Sequence, residues 1–165
     1  VKRLTLVRHA ESGWGPAPQA DVDRPLSARG EREATDMAAC LVAAKLAPTL
    51  IITSPATRAL ATARIFASAL GYAADRIREA EDAYLASPAE LLDLVHRLGG
   101  RSRHVMLFGH NPGISRFAGL LAGDESPGDM PTCAVASLVA PLRHWPELQL
   151  GQAVTDFHQS PKTIQ

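Results

Sequence analysis

Apolar residues recur along this chain in two rhythms. Leu4-Thr5-Leu6-Val7, Leu50-Ile51-Ile52-Thr53 and His104-Val105-Met106-Leu107-Phe108 are short, nearly unbroken apolar runs, as a strand covered on both faces requires. Between them the spacing changes to three and four. Ala34, Met37, Ala38 and Leu41 form one helical stripe, with Ser27 placed to cap it and Pro48 to end it. Ala59, Ala63, Phe66 and Leu70 form a second, opened by Ser54-Pro55 as N-cap and first helical residue and closed by Gly71. Ser87-Pro88-Ala89-Glu90 reads as a capping box for a third helix, with Leu91, Leu94, Val95 and Leu98 inward before Gly99-Gly100. A fourth follows Gly109-His110-Asn111-Pro112-Gly113 and turns Ile114, Phe117, Ala118 and Leu121 inward. A short strand is predicted near Ile77, and extended stretches near Cys133 to Val139 and Gln152 to Phe157.

Strands alternating with helices predict an α/β protein. The expected architecture is a single three-layer α/β/α domain over residues 1–165, with a mostly parallel central sheet of about five or six strands. No repeat, low-complexity tract or linker divides it. Trp145 and Pro146 suggest a packed turn, and the stretch after Leu142 carries no functional signal.

Composition narrows the function. At 165 residues and 46% hydrophobic, the chain can bury roughly 70% of its unfolded surface and hold its own core. Its 17 basic and 17 acidic residues balance, which argues against a nucleic-acid-binding field and makes any anion site local. Cys40 and Cys133 form no disulfide framework or metal-ligand spacing and are expected to be buried, reduced thiols. No apolar run approaches the roughly 18 residues of a membrane span, and the N-terminus reads as a strand rather than a secretory leader. A cytoplasmic protein with no membrane partner is expected.

In open α/β sheets, ligands bind beyond the carboxyl ends of the strands. Three such ends here carry Arg8-His9, Arg58 and His110, and parallel strands would bring them to one edge. Two guanidinium groups and two imidazoles suit a tetrahedral dianion, because phosphoryl transfer asks mainly for positioning and charge on the equatorial oxygens. A histidine attacking phosphorus needs one nitrogen bare and the other held by a hydrogen bond, commonly to a backbone carbonyl. Arg58 lies in a first helical turn, where a cation opposes the helix dipole, so a paired anion is expected there.

The residues that carry this chemistry also carry a resemblance. Leu6-Val7-Arg8-His9-Ala10-Glu11-Ser12 resembles the RHG signature of the histidine phosphatase, or phosphoglycerate mutase-like, superfamily. Ser54-Pro55-Ala56-Thr57-Arg58-Ala59-Leu60-Ala61-Thr62-Ala63 resembles its SPxxRAxxTA motif. Gly109-His110-Asn111-Pro112-Gly113 is similar to the HNPG form of the small SixA-type phosphohistidine phosphatase branch, and Arg24-Pro25-Leu26-Ser27 with Arg29-Gly30 fits that branch's RPLxxRG segment. Four motifs in register over roughly residues 4 to 140 are far more specific than any one of them.

The resemblance implies a phosphoglycerate mutase-like fold, with His9 as the phosphorylated nucleophile. Arg8, Arg58 and His110 would hold the phosphoryl oxygens, the backbone N–H of Asn111 would be a further donor, and no metal or cofactor would be needed. Ala10 departs from the usual glycine, harmlessly if its φ is negative. Glu81, three residues before Tyr84, fits the spacing of the family's general acid; Asp82 competes with it, and a third reading has no acid at all. Such an acid contributes about 10²- to 10⁴-fold when the leaving group is an alkoxide. It matters less for an imidazole, whose conjugate acid has a pKa near 6.5.

Other residues read more plainly. Glu11 is expected to pair with a nearby arginine, and Ser12 and Trp14 either line the pocket mouth or cap and pack. His96, His104, His144 and His158 are read as structural or solvated. HExxH, paired CxxC, GxGxxG, GxxxxGK[ST] and GxSxG are all missing, so metal-hydrolase, dinucleotide, nucleoside triphosphate and serine-hydrolase readings lack support.

The expected function is a metal-independent phosphatase working through phospho-His9 on phosphohistidine in a partner protein, such as a histidine phosphotransfer domain. About 50 residues separate Arg58 from His110, leaving little room for a helical roof. A small-metabolite phosphomonoesterase is the first alternative, with mutase chemistry disfavoured because it needs a closed basic site. A non-catalytic phosphate or phosphoprotein-binding module is the second. Oligomeric state is not legible.

Overall fold

The computed structural model describes residues 1–15, 18–125 and 127–164. Ten regular elements follow the predicted order: β1 (Lys2–Arg8), α1 (Ala28–Ala43), β2 (Leu50–Thr53), α2 (Thr57–Leu70), β3 (Arg78–Glu79), α3 (Pro88–Leu98), β4 (His104–Gly109), α4 (Gly113–Ala122), β5 (Val135–Ala140) and β6 (Val154–Gln159). The six strands form one sheet in the order β3-β2-β4-β1-β5-β6. β3, β2, β4 and β1 are mutually parallel, whereas β5 and β6 join antiparallel.

Alternate strand residues face opposite layers. Leu4, Leu6, Ile52 and Leu107 pack with Leu91, Leu94, Ile114 and Phe117 of α3 and α4. Val7, Ile51, Met106 and Phe108 pack with Met37, Leu41, Ala63 and Phe66 of α1 and α2. The sheet is therefore the middle of three layers.

Helix boundaries follow their caps. Ser27 accepts the Gly30 N–H, Ser87 and Glu90 complete the capping box, and Gly71 ends α2 at φ 73°. Three expectations need correction. α2 begins at Thr57 rather than Pro55, and Ala56 stands at its N-cap without a side-chain bond. Ser54 is not the helix cap: its hydroxyl accepts the Ala56 N–H, ahead of the first helical turn, and meets His110 across the sheet edge. Cys133 is buried as expected, but Cys40 is only half-buried, since it lies at the border of the apolar face of α1; both thiols are free. α1 also stops at Ala43, five residues short of Pro48, where Lys45 turns to φ 60°.

At the opposite end of the strands, a polar network crosses the sheet. His104 donates Nδ1–H to the Ala47 carbonyl at 3.0 Å and meets the Thr5 hydroxyl through Nε2 at 2.6 Å. Thr5 continues to Ser137 at 2.8 Å, and Arg3 links Ser137 to Asp156. Trp145, in the C-terminal stretch, is buried and donates its indole N–H to Ser102 at 2.8 Å. Among the described residues no helix is long and apolar enough to cross a membrane.

Candidate active site

Strand register sets the site. Arg8 pairs with Gly109 across β1 and β4, and Thr53 pairs with Phe108 across β2 and β4. His9, Ser54 and His110 thus leave the sheet at one level of its carboxyl edge. Parallel pairing alone brings together residues a hundred positions apart.

His9 is 8% exposed. Its Nδ1 lies 2.7 Å from the Ala10 carbonyl, which can only accept, so Nδ1 carries the proton and Nε2 is bare in the neutral ring. Ala10 lies outside the positive-φ region, so its Cβ brings no strain where the family usually has glycine. Its N–H donates to Thr62 Oγ1 at 3.0 Å, and Thr62 donates in turn to the Arg58 carbonyl at 2.7 Å. One hydroxyl therefore ties the end of β1 to the first turn of α2.

The His9 and His110 ring centroids are 5.2 Å apart. His110 Nε2 meets the Ser54 hydroxyl at 2.8 Å, while its Nδ1 is buried with no partner among the described residues. The Tyr84 ring stands perpendicular to His110 at 5.4 Å. Arg8 donates Nη1–H to the Met130 carbonyl at 3.0 Å, and its Nε is also buried and unpartnered. Buried polar nitrogens without protein partners are rare, so these two atoms are candidates to meet a ligand.

Arg58 is buried, with its fork on one residue. Nη1 donates to the Asp21 carbonyl at 2.7 Å and Nη2 to Asp21 Oδ2 at 3.0 Å. Tyr84 donates its hydroxyl to the same carboxylate oxygen. The anion that the helix-dipole argument calls for is thus supplied by the chain itself.

Burial is the main electrostatic influence on the two imidazoles. It lowers the His9 pKa to about 4, helped by Arg58, Arg8 and Arg24 and opposed by the Ala10 hydrogen bond. It lowers His110 to about 3, with His9, Arg58 and Arg8 acting the same way and Asp21 against. With both values below 7, the neutral form of each ring is favoured at pH 7, and in His9 that form leaves Nε2 without a proton.

Arg8, His9, Arg58 and His110 converge as the motifs suggest. The Asn111 side chain is directed away, donating to Met130 at 2.8 Å and accepting from Ser115 at 2.5 Å; its backbone N–H has no partner among the described residues. Glu81 is exposed on the short turn 81–83, and its carboxylate makes no hydrogen bond or ion pair among the described residues. Asp82 is bound to Arg97 on α3. Glu11 accepts from Ser27 at 2.8 Å and lies 4.0 Å from Arg29.

Sequence reasoning missed Asp21 altogether and misread Ser54. Asp21 lies in a polar loop with no periodicity, and only its position three residues before Arg24-Pro25-Leu26 could have drawn attention to it. Arg24 stacks on the exposed Trp14 ring at 4.1 Å and donates to Ser12 at 2.9 Å, which places Trp14 on the loop beside the site. A groove of about 580 Å³ between Pro112 and Asp129 runs beside the histidines along α4 and shares none of the four.

Known proteins extend the geometry. Residues 4–82 match the model of the histidine phosphatase superfamily, branch 1. An uncharacterized protein of Mycobacterium tuberculosis is 33% identical over 92% of this chain and 98% of its own length. The crystal structure of the proposed phosphohistidine phosphatase SixA from Agrobacterium tumefaciens is similar with a TM-score of 0.82 and 25% identity, covering 97% of this chain and 98% of that one. A structure of the protein histidine phosphatase SixA complexed with tungstate shares the fold at a TM-score of 0.83, with 19% identity over 99% of each chain. With three of its motifs folded onto one sheet edge and the fourth joined to the loop after β1, the chain belongs to the histidine phosphatase superfamily, on its SixA-type branch, and is a phosphatase.

Proposed function

We propose that residues 1–165 act as a single-domain phosphatase that forms a covalent phospho-His9 intermediate and removes phosphate from phosphohistidine on a partner protein. The observation that carries this reading is the His9–Ala10 contact of 2.7 Å, which commits Nδ1 to donation and leaves Nε2 as the nucleophile beside His110 and the two arginines. Nε2 attacks phosphorus and the bond to the leaving group breaks, with its electron pair departing on that group. The His9 ring becomes cationic, and the Ala10 carbonyl stabilises the charge through the Nδ1–H bond. Water then attacks phosphorus, the P–Nε2 pair returns to the ring, and phosphate leaves carrying both hydrogens of the water. Arg8 and Arg58 supply the charge on the equatorial oxygens, so the reaction as proposed uses no metal.

Two features favour a protein-borne phosphohistidine over a small ester. Glu81 makes no contact with the site, and an imidazole leaving group needs an acid least. Between α2 and β4 the chain forms only short turns, the two-residue β3 and α3, which packs on α4; no helical insertion roofs the histidines. The test is loss of label from a phosphohistidine-bearing phosphotransfer domain, with wild type and His9→Ala compared at stoichiometric and catalytic concentrations. Rapid loss with wild type alone is expected. Equal loss with both proteins would overturn the nucleophile, and faster turnover of small phosphate esters would make the protein a phosphomonoesterase.

A further inference from the structure

Arg58 is screened from solvent by an anion. Its side chain is 6% exposed, whereas that of Asp21, which lies over it, is 47% exposed. A carboxylate on a phosphoryl-binding arginine is a poor choice for a site that need only attract a dianion, because like charges a few ångströms apart repel. It makes sense if the carboxylate meets the other end of the substrate. We propose that Asp21 is a specificity-determining residue whose carboxylate receives the ring N–H of a leaving imidazole, selecting P–N bonds over P–O bonds. This rests on the phosphoryl-transfer reading given above.

Placement supports it. Asp21 is the exposed partner of the buried Arg58, and Tyr84, which donates to it, stands against His110, so the Asp21 carboxylate lies on the solvent side of the residues assigned to the phosphoryl group. Oδ2 is occupied by Arg58 and Tyr84, but among the described residues Oδ1 has only Arg24, at 3.6 Å, beyond hydrogen-bond distance. Oδ1 therefore keeps accepting capacity at the rim. The hydrogen bond from Tyr84, followed by Arg58, holds the Asp21 carboxyl below its ordinary range, so it is an acceptor and not an acid.

The electron count then separates two substrate classes. A phosphoimidazole protonated at its remote nitrogen loses the phosphoryl group to His9 Nε2, the P–N pair returns to its own ring, and neutral imidazole departs. No proton transfer is required, and the remote N–H stays on Asp21 throughout. Cleavage of a P–O bond leaves an alkoxide that must find a proton, which an ionised Asp21 does not hold, and Tyr84 has its hydroxyl proton directed at Asp21.

The experiment measures kcat/KM for phosphoimidazole and phenyl phosphate with wild type, Asp21→Asn and Asp21→Glu. In Asp21→Asn the ratio of the two values, P–N over P–O, is expected to fall at least tenfold, and Asp21→Glu should retain more of it because it keeps the charge. A parallel fall for both substrates would reduce Asp21 to an anchor for Arg58 and overturn the proposal alone. A selective fall for phenyl phosphate would make Asp21 an acid, also overturning it. Wild type that hydrolyses the ester but not phosphoimidazole, or neither compound, would remove the phosphohistidine reading and this inference with it.

Discussion

The Ser54 hydroxyl lies 2.8 Å from His110 Nε2 and accepts the Ala56 N–H at 3.2 Å. The one proton of Ser54 has no other acceptor among the described residues, so it is directed at Nε2, and His110 holds its own proton on the unpartnered Nδ1. Ser54 thereby favours the tautomer in which His110 can donate from Nδ1, as its proposed phosphoryl-binding role requires.

Ser54→Ala should release that tautomer. Losing one buried hydrogen bond of about 1–3 kcal/mol corresponds to a fall in kcat/KM of roughly ten- to a hundredfold. Imidazole 15N shifts of His110 should move the proton from Nδ1 towards Nε2. A large activity loss with an unmoved tautomer would assign Ser54 a packing role only.

On the proposed mechanism, the acid limb of activity depends on His9. Attack requires a bare Nε2, and burial holds the His9 pKa at about 4 instead of 6.5. kcat/KM reports the free enzyme, so it should stay flat as pH falls through 6.5 and decline only as pH nears 4. A limb at 6.5, measured on a substrate whose own ionisation is known, would show a more hydrated His9.

Stability follows His104. The unfolded chain takes up a proton near pH 6.5, the folded one only near 4, because burial outweighs the Ala47 hydrogen bond. The contribution of neutral His104 is therefore complete above pH 6.5 and shrinks as pH falls towards 4, by about 3 kcal/mol in all. Urea unfolding across that window should show a shallower loss for His104→Asn than for wild type, from a lower starting stability at pH 7.

How much of this was legible in the sequence depends on whether a signal is local. The strands and helices were, because Leu4–Val7 and Ala34–Leu41 carry their periods within a few residues. The meeting of Arg8, His9, Arg58 and His110 was, because each lies at or soon after the carboxyl end of a strand and parallel strands end together. Ser54 was not: serine before proline has the same appearance as a helix cap and as a hydroxyl directed at a histidine 56 positions away. Asp21 was not, since its contacts to Arg58 and Tyr84 exist only after two loop segments meet the first turn of α2. Register is local in pattern; partnership across loops is not.

Thr62 offers the sharpest test of how the site is held together. Its hydroxyl accepts from Ala10, next to the nucleophile, and donates to the carbonyl of Arg58, with no exposure to solvent. Thr62→Val keeps the shape and leaves the Ala10 N–H buried and unbonded, at a cost of about 1–3 kcal/mol. Thr62→Ser keeps the hydroxyl and should recover most of that stability. Because the two bonds join β1 to α2, Thr62→Val should also lower kcat by loosening His9 against Arg58, beyond what reduced folding explains at temperatures well below Tm. If kcat is unchanged in a folded Thr62→Val protein, the strand end is positioned by β1–β4 register alone, and the hydroxyl serves stability without serving catalysis.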